Sequence, residues 1–290
     1  MGPSVATSRG RPRRVERRDV VDFGGSGQPI LVLHGLMGRA RTWWPVAQWL
    51  KRYGRVHGLD QRGHGLSPHR GFQTICTEDP LAGSSICTED PLAGSSICTE
   101  DFVDDAAELL AELGPAVVIG HSMGGLHAWE LAARRPDLVR AVVVEDMAPD
   151  QRGKTVDAWR DHFDSWPVPF ESLDHVRSFF GGPVGDYFTE CVTEREDGYH
   201  FMADLEDLYV IAAEWGRRAY WDSVENVRCP LLAIEAEHTA MPPGQIRELA
   251  DRAPDARYVR VEGAGHVVHR DRPDTYRGAV EAFLCEVLDR

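Results

Sequence analysis

No stretch of this 290-residue chain approaches the roughly 20 apolar residues that a membrane span needs. The start is basic but has no apolar segment behind it, so a secretory signal is not expected. Ala6 fails the myristoylation pattern. A cytoplasmic location is the expectation these absences leave. Cysteine is equally uninformative as a ligand or staple. Three of the six cysteines, Cys76, Cys87 and Cys98, are copies of one residue in a repeat, and Cys191, Cys229 and Cys285 are scattered. No Cys-x-x-Cys pair exists, which argues against a zinc site or a redox motif and for reduced thiols. Positive charge is also short: 32 Lys and Arg against 46 Asp and Glu give a formal net charge of −14. Such a surface repels nucleic acid and anionic membranes, so neither is an expected partner. The exception is Arg9 to Arg18, which holds six arginines. Residues 1–14 are expected to form a disordered basic tail.

What remains is ordinary for a soluble globular enzyme, with 42% hydrophobic and 27% charged residues. Short apolar runs alternate with amphipathic stretches. Val15 to Phe23 reads as an edge strand or hairpin, and the strand candidates after it are 30–33, 55–59, 116–119, 139–144, 231–234 and 257–261. Helices are expected over 43–53, 102–113, 126–133 and 273–288. This alternation predicts a mostly parallel sheet flanked by helices, an α/β architecture built from residues 15–149 and 229–290. Residues 150–228 lack strand alternation and hold 14 of the 25 aromatic residues. A loop of that length is improbable inside one domain, so the segment reads as a mainly helical lid. Residues 75–96 carry two copies of Ile-Cys-Thr-Glu-Asp-Pro-Leu-Ala-Gly-Ser-Ser, and a third begins at Ile97. Pro80, Pro91, Gly83 and Gly94 break both helix and strand, so the repeat reads as a loop insertion. Loop-closure entropy grows slowly with length, and the insertion costs about 1 kcal/mol.

The chemistry concentrates at Gly120-His121-Ser122-Met123-Gly124. This is a G-x-S-x-G pattern between an apolar strand and a helix, which presents the serine hydroxyl on a strained turn. Ser122 is the expected nucleophile. A serine hydroxyl needs a base, and His266, just after the last strand, is the expected one. His269 is the competitor, with a helix-entry or lid contact as its ordinary role. The two histidines lack a third ligand, so no metal is expected. His34, His64 and His121 lie inside backbone motifs and read as structural. For the acid that orients the base, the loop after 231–234 is the usual position, but Thr239 stands where an Asp would be expected. Asp146, at the end of the strand that covers 139–144, is the favoured acid, and Glu237 is the fallback. An oxyanion hole needs two converging N–H groups. Met123 and Leu36 are the expected donors.

With these pieces in hand, the chain resembles the α/β-hydrolase superfamily from residue 15 to the end, the repeat excepted. The matching motifs are His34-Gly-Leu-Met-Gly38, Asp60-Gln-Arg-Gly-His-Gly-Leu-Ser67, Gly120-His-Ser-Met-Gly-Gly125 and Gly263-Ala-Gly-His266. Together with Glu145-Asp-Met-Ala-Pro149 they are similar to small bacterial esterases whose acid follows the sixth strand. The resemblance therefore implies a lid after the sixth strand, and it supports Asp146. An Asp nucleophile would mark dehalogenases and epoxide hydrolases, which Ser122 argues against. The expected function is cleavage of a carboxylic ester or thioester through an acyl-enzyme, with no cofactor. The lid aromatics suggest a small-molecule acyl substrate of apolar character. Two alternatives are carbon–carbon bond hydrolysis or a lyase reaction on the same triad, and a catalytically silent ligand-binding homologue.

Overall fold

A computed structural model describes residue 15 and residues 19–67, 97–154 and 156–288. The basic tail, 1–14, and the insertion, 75–96, lie outside the described residues. Nine strands and eleven α-helices are present among those described. Seven strands form the main sheet: β1 (Val20–Gly24), β2 (Pro29–Leu33), β3 (Arg55–Leu59), β4 (Ala116–His121), β5 (Val139–Glu145), β8 (Leu231–His238) and β9 (Ala256–Gly265). Their spatial order is β1-β3-β2-β4-β5-β8-β9. β1 runs antiparallel to β3, and every other pairing in this sheet is parallel.

The short apolar runs of β2, β4 and β5 are buried on both faces, as parallel strands require. Alternation within β2 shows how the layers divide. Ile30 and Val32 join one core with Val46 and Leu50 of α1 (Trp44–Leu50) and Val280 and Phe283 of α11 (Pro273–Leu288). Leu31 and Leu33 face the other core, with Leu110 of α2 (Thr99–Leu113) and Leu126 and Trp129 of α3 (Met123–Arg134). Each such side chain contributes about 1.5–3 kcal/mol on full burial. The strand order reverses between β2 and β4: β2 leads outward to β3, while β4 leads to β5, β8 and β9. Clefts for ligands form beyond the carboxyl ends of strands at such a switch point.

The insert after β5 contains α4 (Val156–Phe163), α5 (Leu173–Phe180), α6 (Gly182–Thr189), α7 (Leu205–Glu214) and α8 (Trp221–Asn226). It follows the fifth strand in chain order, one strand fewer than the resemblance implies, because a single edge strand stands at β1. The insert also holds a hairpin that the sequence pattern did not reveal, β6 (Val192–Arg195) against β7 (Gly198–Phe201). Its strands are four residues long and mostly polar, too short to show a period. A further departure concerns the aromatic residues. Trp166 meets Phe163, Phe180 and Phe201 at ring-centroid distances of 5.0, 4.9 and 5.6 Å. Phe170 and Tyr209 are buried. The insert thus has an aromatic interior of its own.

Candidate active site

Ser122 is the single residue between β4 and α3, with φ 52° and ψ −123°. Turning from strand to helix in one step forces this sparsely populated conformation. The turn also brings backbones into contact. A Cβ on Gly120 would lie 2.0 Å from the Gly124 carbonyl oxygen, and one on Gly124 would lie 2.3 Å from that of Leu33. Only glycine fits at either place. Among the described residues, three non-glycine residues have positive φ: Met37, Ser122 and Asp146. They stand beyond the carboxyl ends of β2, β4 and β5, so the strained positions gather at the switch point.

The end of β9 carries His266 to the same place. Its Nε2 lies 2.9 Å from Ser122 Oγ, and its Nδ1 lies 2.7 Å from Asp146 Oδ2. The Asp146 side chain is completely buried, whereas a third of the His266 side chain is exposed. Burial of an ionised carboxylate demands donors. Asp146 Oδ1 accepts from the Ala236 N–H at 2.9 Å, and Oδ2 accepts from Thr239 Oγ1 at 2.9 Å as well as from His266. Thr239 is itself held by the Met241 N–H, which donates to its Oγ1 at 3.0 Å. The residue standing where an acid was expected therefore serves the acid one strand away. Glu237 has another partner: its Oε2 accepts from the Gly263 N–H at 2.7 Å.

Leu36 and Met123 flank this group. Met123 opens α3, so its N–H is among the four without an intrahelical acceptor. Leu36 is the second residue of a turn closed by the Gly38 N–H donating to the Gly35 carbonyl at 2.9 Å. Met37, third in the turn, has φ 67°, as a type II turn requires. The turn closes without the Leu36 N–H. A Cβ on Gly35 would lie 3.1 Å from Ser122 Cβ, which sets this loop against the serine.

His269 is not near-equivalent to His266. It is buried, stacks on Trp43 at 4.6 Å, and places Nδ1 2.9 Å from both Glu145 oxygens. Its backbone N–H donates to Glu145 as well, at 2.9 Å. Burial pushes Glu145 up, but the charge interaction and hydrogen bonds from His269 hold it below the ordinary carboxylate range. His121 packs 4.8 Å from the His266 ring, and its Nε2 donates to the His266 carbonyl at 2.9 Å. Burial pushes His121 down to about 3, so it stays neutral. His34 and His64 are likewise buried, and are pushed down to about 4 and about 3. His34 Nε2 accepts from the Gln61 N–H at 3.0 Å, and the Gln61 amide donates to the His34 carbonyl at 2.7 Å. Glu145 and Thr239 are thus supports of the group that sequence reasoning did not assign, whereas His121 reads as structural from the sequence. The adjacency of Glu145 to Asp146 was the available signal, since neighbouring residues at a strand end face opposite ways. Among the described residues, no group of three or more His, Cys, Asp or Glu is placed to hold a metal ion. No described helix is long and apolar enough to cross a membrane.

The sheet order, the elbow and the serine–histidine–carboxylate contact define a hydrolase architecture. The chain belongs to the alpha/beta hydrolase family, whose model matches residues 30–279. It is similar to 2-(acetamidomethylene)succinate hydrolase of Mesorhizobium japonicum, at 27% identity over 90% of this chain and 89% of the relative. It is also similar to the sn-1-specific diacylglycerol lipase ABHD11 of Mus musculus, at 28% identity over 92% of this chain and 84% of the relative. The solved structure of E-2-(acetamidomethylene)succinate hydrolase shares the fold, with a TM-score of 0.74 at 24% identity over 91% and 94% of the two chains. These two relatives are a hydrolase and a lipase, and this chain is an α/β-hydrolase enzyme.

Proposed function

We propose that the enzyme cleaves carboxylic esters or thioesters through an acyl-enzyme on Ser122, with His266 as base and Asp146 as its partner. The observation that carries this reading is the His266 ring between Ser122 Oγ at 2.9 Å and Asp146 Oδ2 at 2.7 Å. An ionised carboxylate only accepts, so His266 carries its proton on Nδ1 and offers a lone pair at Nε2. Ser122 Oγ attacks the carbonyl carbon as Nε2 takes the hydroxyl proton. The carbonyl oxygen becomes an oxyanion that the Leu36 and Met123 N–H groups stabilise. Collapse expels the alkoxide or thiolate, which leaves with the proton from Nε2. Water then gives a proton to the same nitrogen, its oxygen attacks the acyl carbon, and the carboxylic acid departs as Ser122 regains its proton.

Rapid mixing of the enzyme with 4-nitrophenyl butyrate tests this reading. Expected are a burst of 4-nitrophenol matching the enzyme concentration, or steady turnover, together with a butyryl adduct on Ser122 after acid quench. A fully folded enzyme that releases no 4-nitrophenol and forms no adduct would overturn the ester reading.

A further inference from the structure

Beside the oxyanion loop stands a cation that pairs with no carboxylate among the described residues. Arg39 directly follows the Gly35–Gly38 turn, whose first residue abuts Ser122. Its side chain is half-buried and reaches the insert, where Nη1 donates to the Met202 sulfur at 2.9 Å. A thioether is a weak acceptor and brings no charge. The Nε–H is buried and has no acceptor among the described residues. No described carboxylate forms an ion pair with Arg39.

The surroundings sharpen the contrast. Arg270, on α10 (Val268–Asp271), lies in the same corner, but it pairs with Glu190 at 3.0 Å and donates to the Thr42 carbonyl. The charges of both arginines are felt at Cys191 of the insert, so two guanidiniums share this region while Glu190 engages one. Asp60 is a second acid felt at Cys191. Its Oδ1 accepts from the Ala40 N–H at 2.6 Å and its Oδ2 from the Leu66 N–H at 2.8 Å, so backbone amides occupy both oxygens. Withdrawing a guanidinium from water without a counter-charge is costly. That cost is offset when an anion arrives, and the planar fork of an arginine matches a carboxylate.

We propose that Arg39 is the subsite for a free carboxylate on the substrate, so that the enzyme takes acyl compounds bearing an anionic group beyond the scissile bond. The proposal rests on the hydrolase reading above for the position of that bond. Chain length alone keeps the Leu36 and Arg39 Cα atoms within roughly 11 Å. A half-ester of a short dicarboxylic acid spans such a distance. The substrate class differs from the apolar acyl group that the aromatic content of the insert suggested, because those rings pack on one another.

The test compares 4-nitrophenyl hydrogen adipate with its methyl ester, each corrected for spontaneous hydrolysis, on the full chain and on Arg39→Met and Arg39→Lys. The wild type should favour the free acid. Arg39→Met should cut the ratio of the two kcat/KM values by roughly 10- to 100-fold, mainly through KM, the range of a charge-assisted pair. Arg39→Lys, which keeps the charge without the fork, should fall between. Thermal unfolding with and without adipate ion gives a readout independent of turnover. Adipate should raise the midpoint of the wild type but not of Arg39→Met. The ligand-free Arg39→Met protein should be at least as stable as the wild type, since it loses a charge that no described carboxylate pairs, whereas a merely structural arginine would destabilise on removal. Turnover of both esters with a ratio indifferent to Arg39 would overturn the subsite and leave the ester reading standing. Arg39-dependent stabilisation by adipate without turnover of either ester would overturn the ester reading and leave the anion site.

Discussion

Replacing Asp146 by Asn tests the carboxylate at the site by changing which atoms can accept. Asp146 takes three donors: the Ala236 N–H on Oδ1, and Thr239 Oγ1 and His266 Nδ1 on Oδ2. An amide has one oxygen and one NH2, so one edge must reverse. If the NH2 faced Ala236, a side-chain donor would meet a fixed backbone donor in a buried place, which costs about 1–3 kcal/mol. The amide oxygen therefore keeps Ala236, and the NH2 turns to Thr239 and His266. Thr239 can adapt by rotating its hydroxyl. His266 cannot adapt without losing function, because Nδ1 must now accept and the proton moves to Nε2, facing Ser122. A base in the wrong tautomer lowers kcat by on the order of 10⁴, equivalent to about 5.5 kcal/mol of barrier. Steady-state kinetics on a 4-nitrophenyl ester, with circular dichroism to check folding, measures this. Glu237→Gln is the control, since an amide oxygen can still accept from the Gly263 N–H that Glu237 holds at 2.7 Å, and its loss should stay within a fewfold. A folded Asp146→Asn enzyme within tenfold of wild type, or a larger loss at Glu237, would show that Asp146 does not set the His266 tautomer.

Thr239→Val removes one of two donors to Asp146 Oδ2 and should lower kcat roughly tenfold with KM little changed, while Thr239→Ser should restore it; a valine enzyme as fast as wild type would show that the hydroxyl is idle. Acid should destabilise the fold in a defined window. His34, His64 and His121 are held down to about 4, 3 and 3, first of all by burial. Each stays neutral when folded but takes up a proton when unfolded below about pH 6.5, so the unfolded chain binds more protons. Their contribution is complete above that pH and is lost as pH falls toward 4, by about 1.4 kcal/mol per pH unit for each histidine. Urea unfolding between pH 7 and 4.5 checks this, and a flat profile would contradict it.

Legibility from sequence followed the range of the interactions involved. The elbow was readable because an apolar strand, a close-packed pair of glycines and a helix are all local to Gly120–Gly125. His266 and Asp146 could be placed because each leaves the end of a strand whose apolar run was itself visible. The bond from Thr239 to Asp146 joins residues 93 apart, and that from His269 to Glu145 joins residues 124 apart. No periodicity encodes such pairs, and Thr239 looked only like a missing acid. The β6–β7 hairpin escaped because its four-residue strands are held by packing against Phe170, whose backbone bonds to Tyr199, rather than by their own pattern. The aromatic residues of the insert were visible, but composition could not tell a pocket wall from an interior.

Whether Ser122 is an activated nucleophile is read most directly by covalent labelling with a fluorophosphonate ester, followed by mass spectrometry of the intact protein and its peptides. A serine activated by His266 reacts with phosphorus and becomes a stable phosphonyl ester, whereas an ordinary buried hydroxyl does not. One adduct per chain is expected, on the peptide containing Ser122, absent from Ser122→Ala and strongly slowed in His266→Ala. Labelling that persists in folded Ser122→Ala, or a folded wild type that takes up no label, would contradict that role for Ser122.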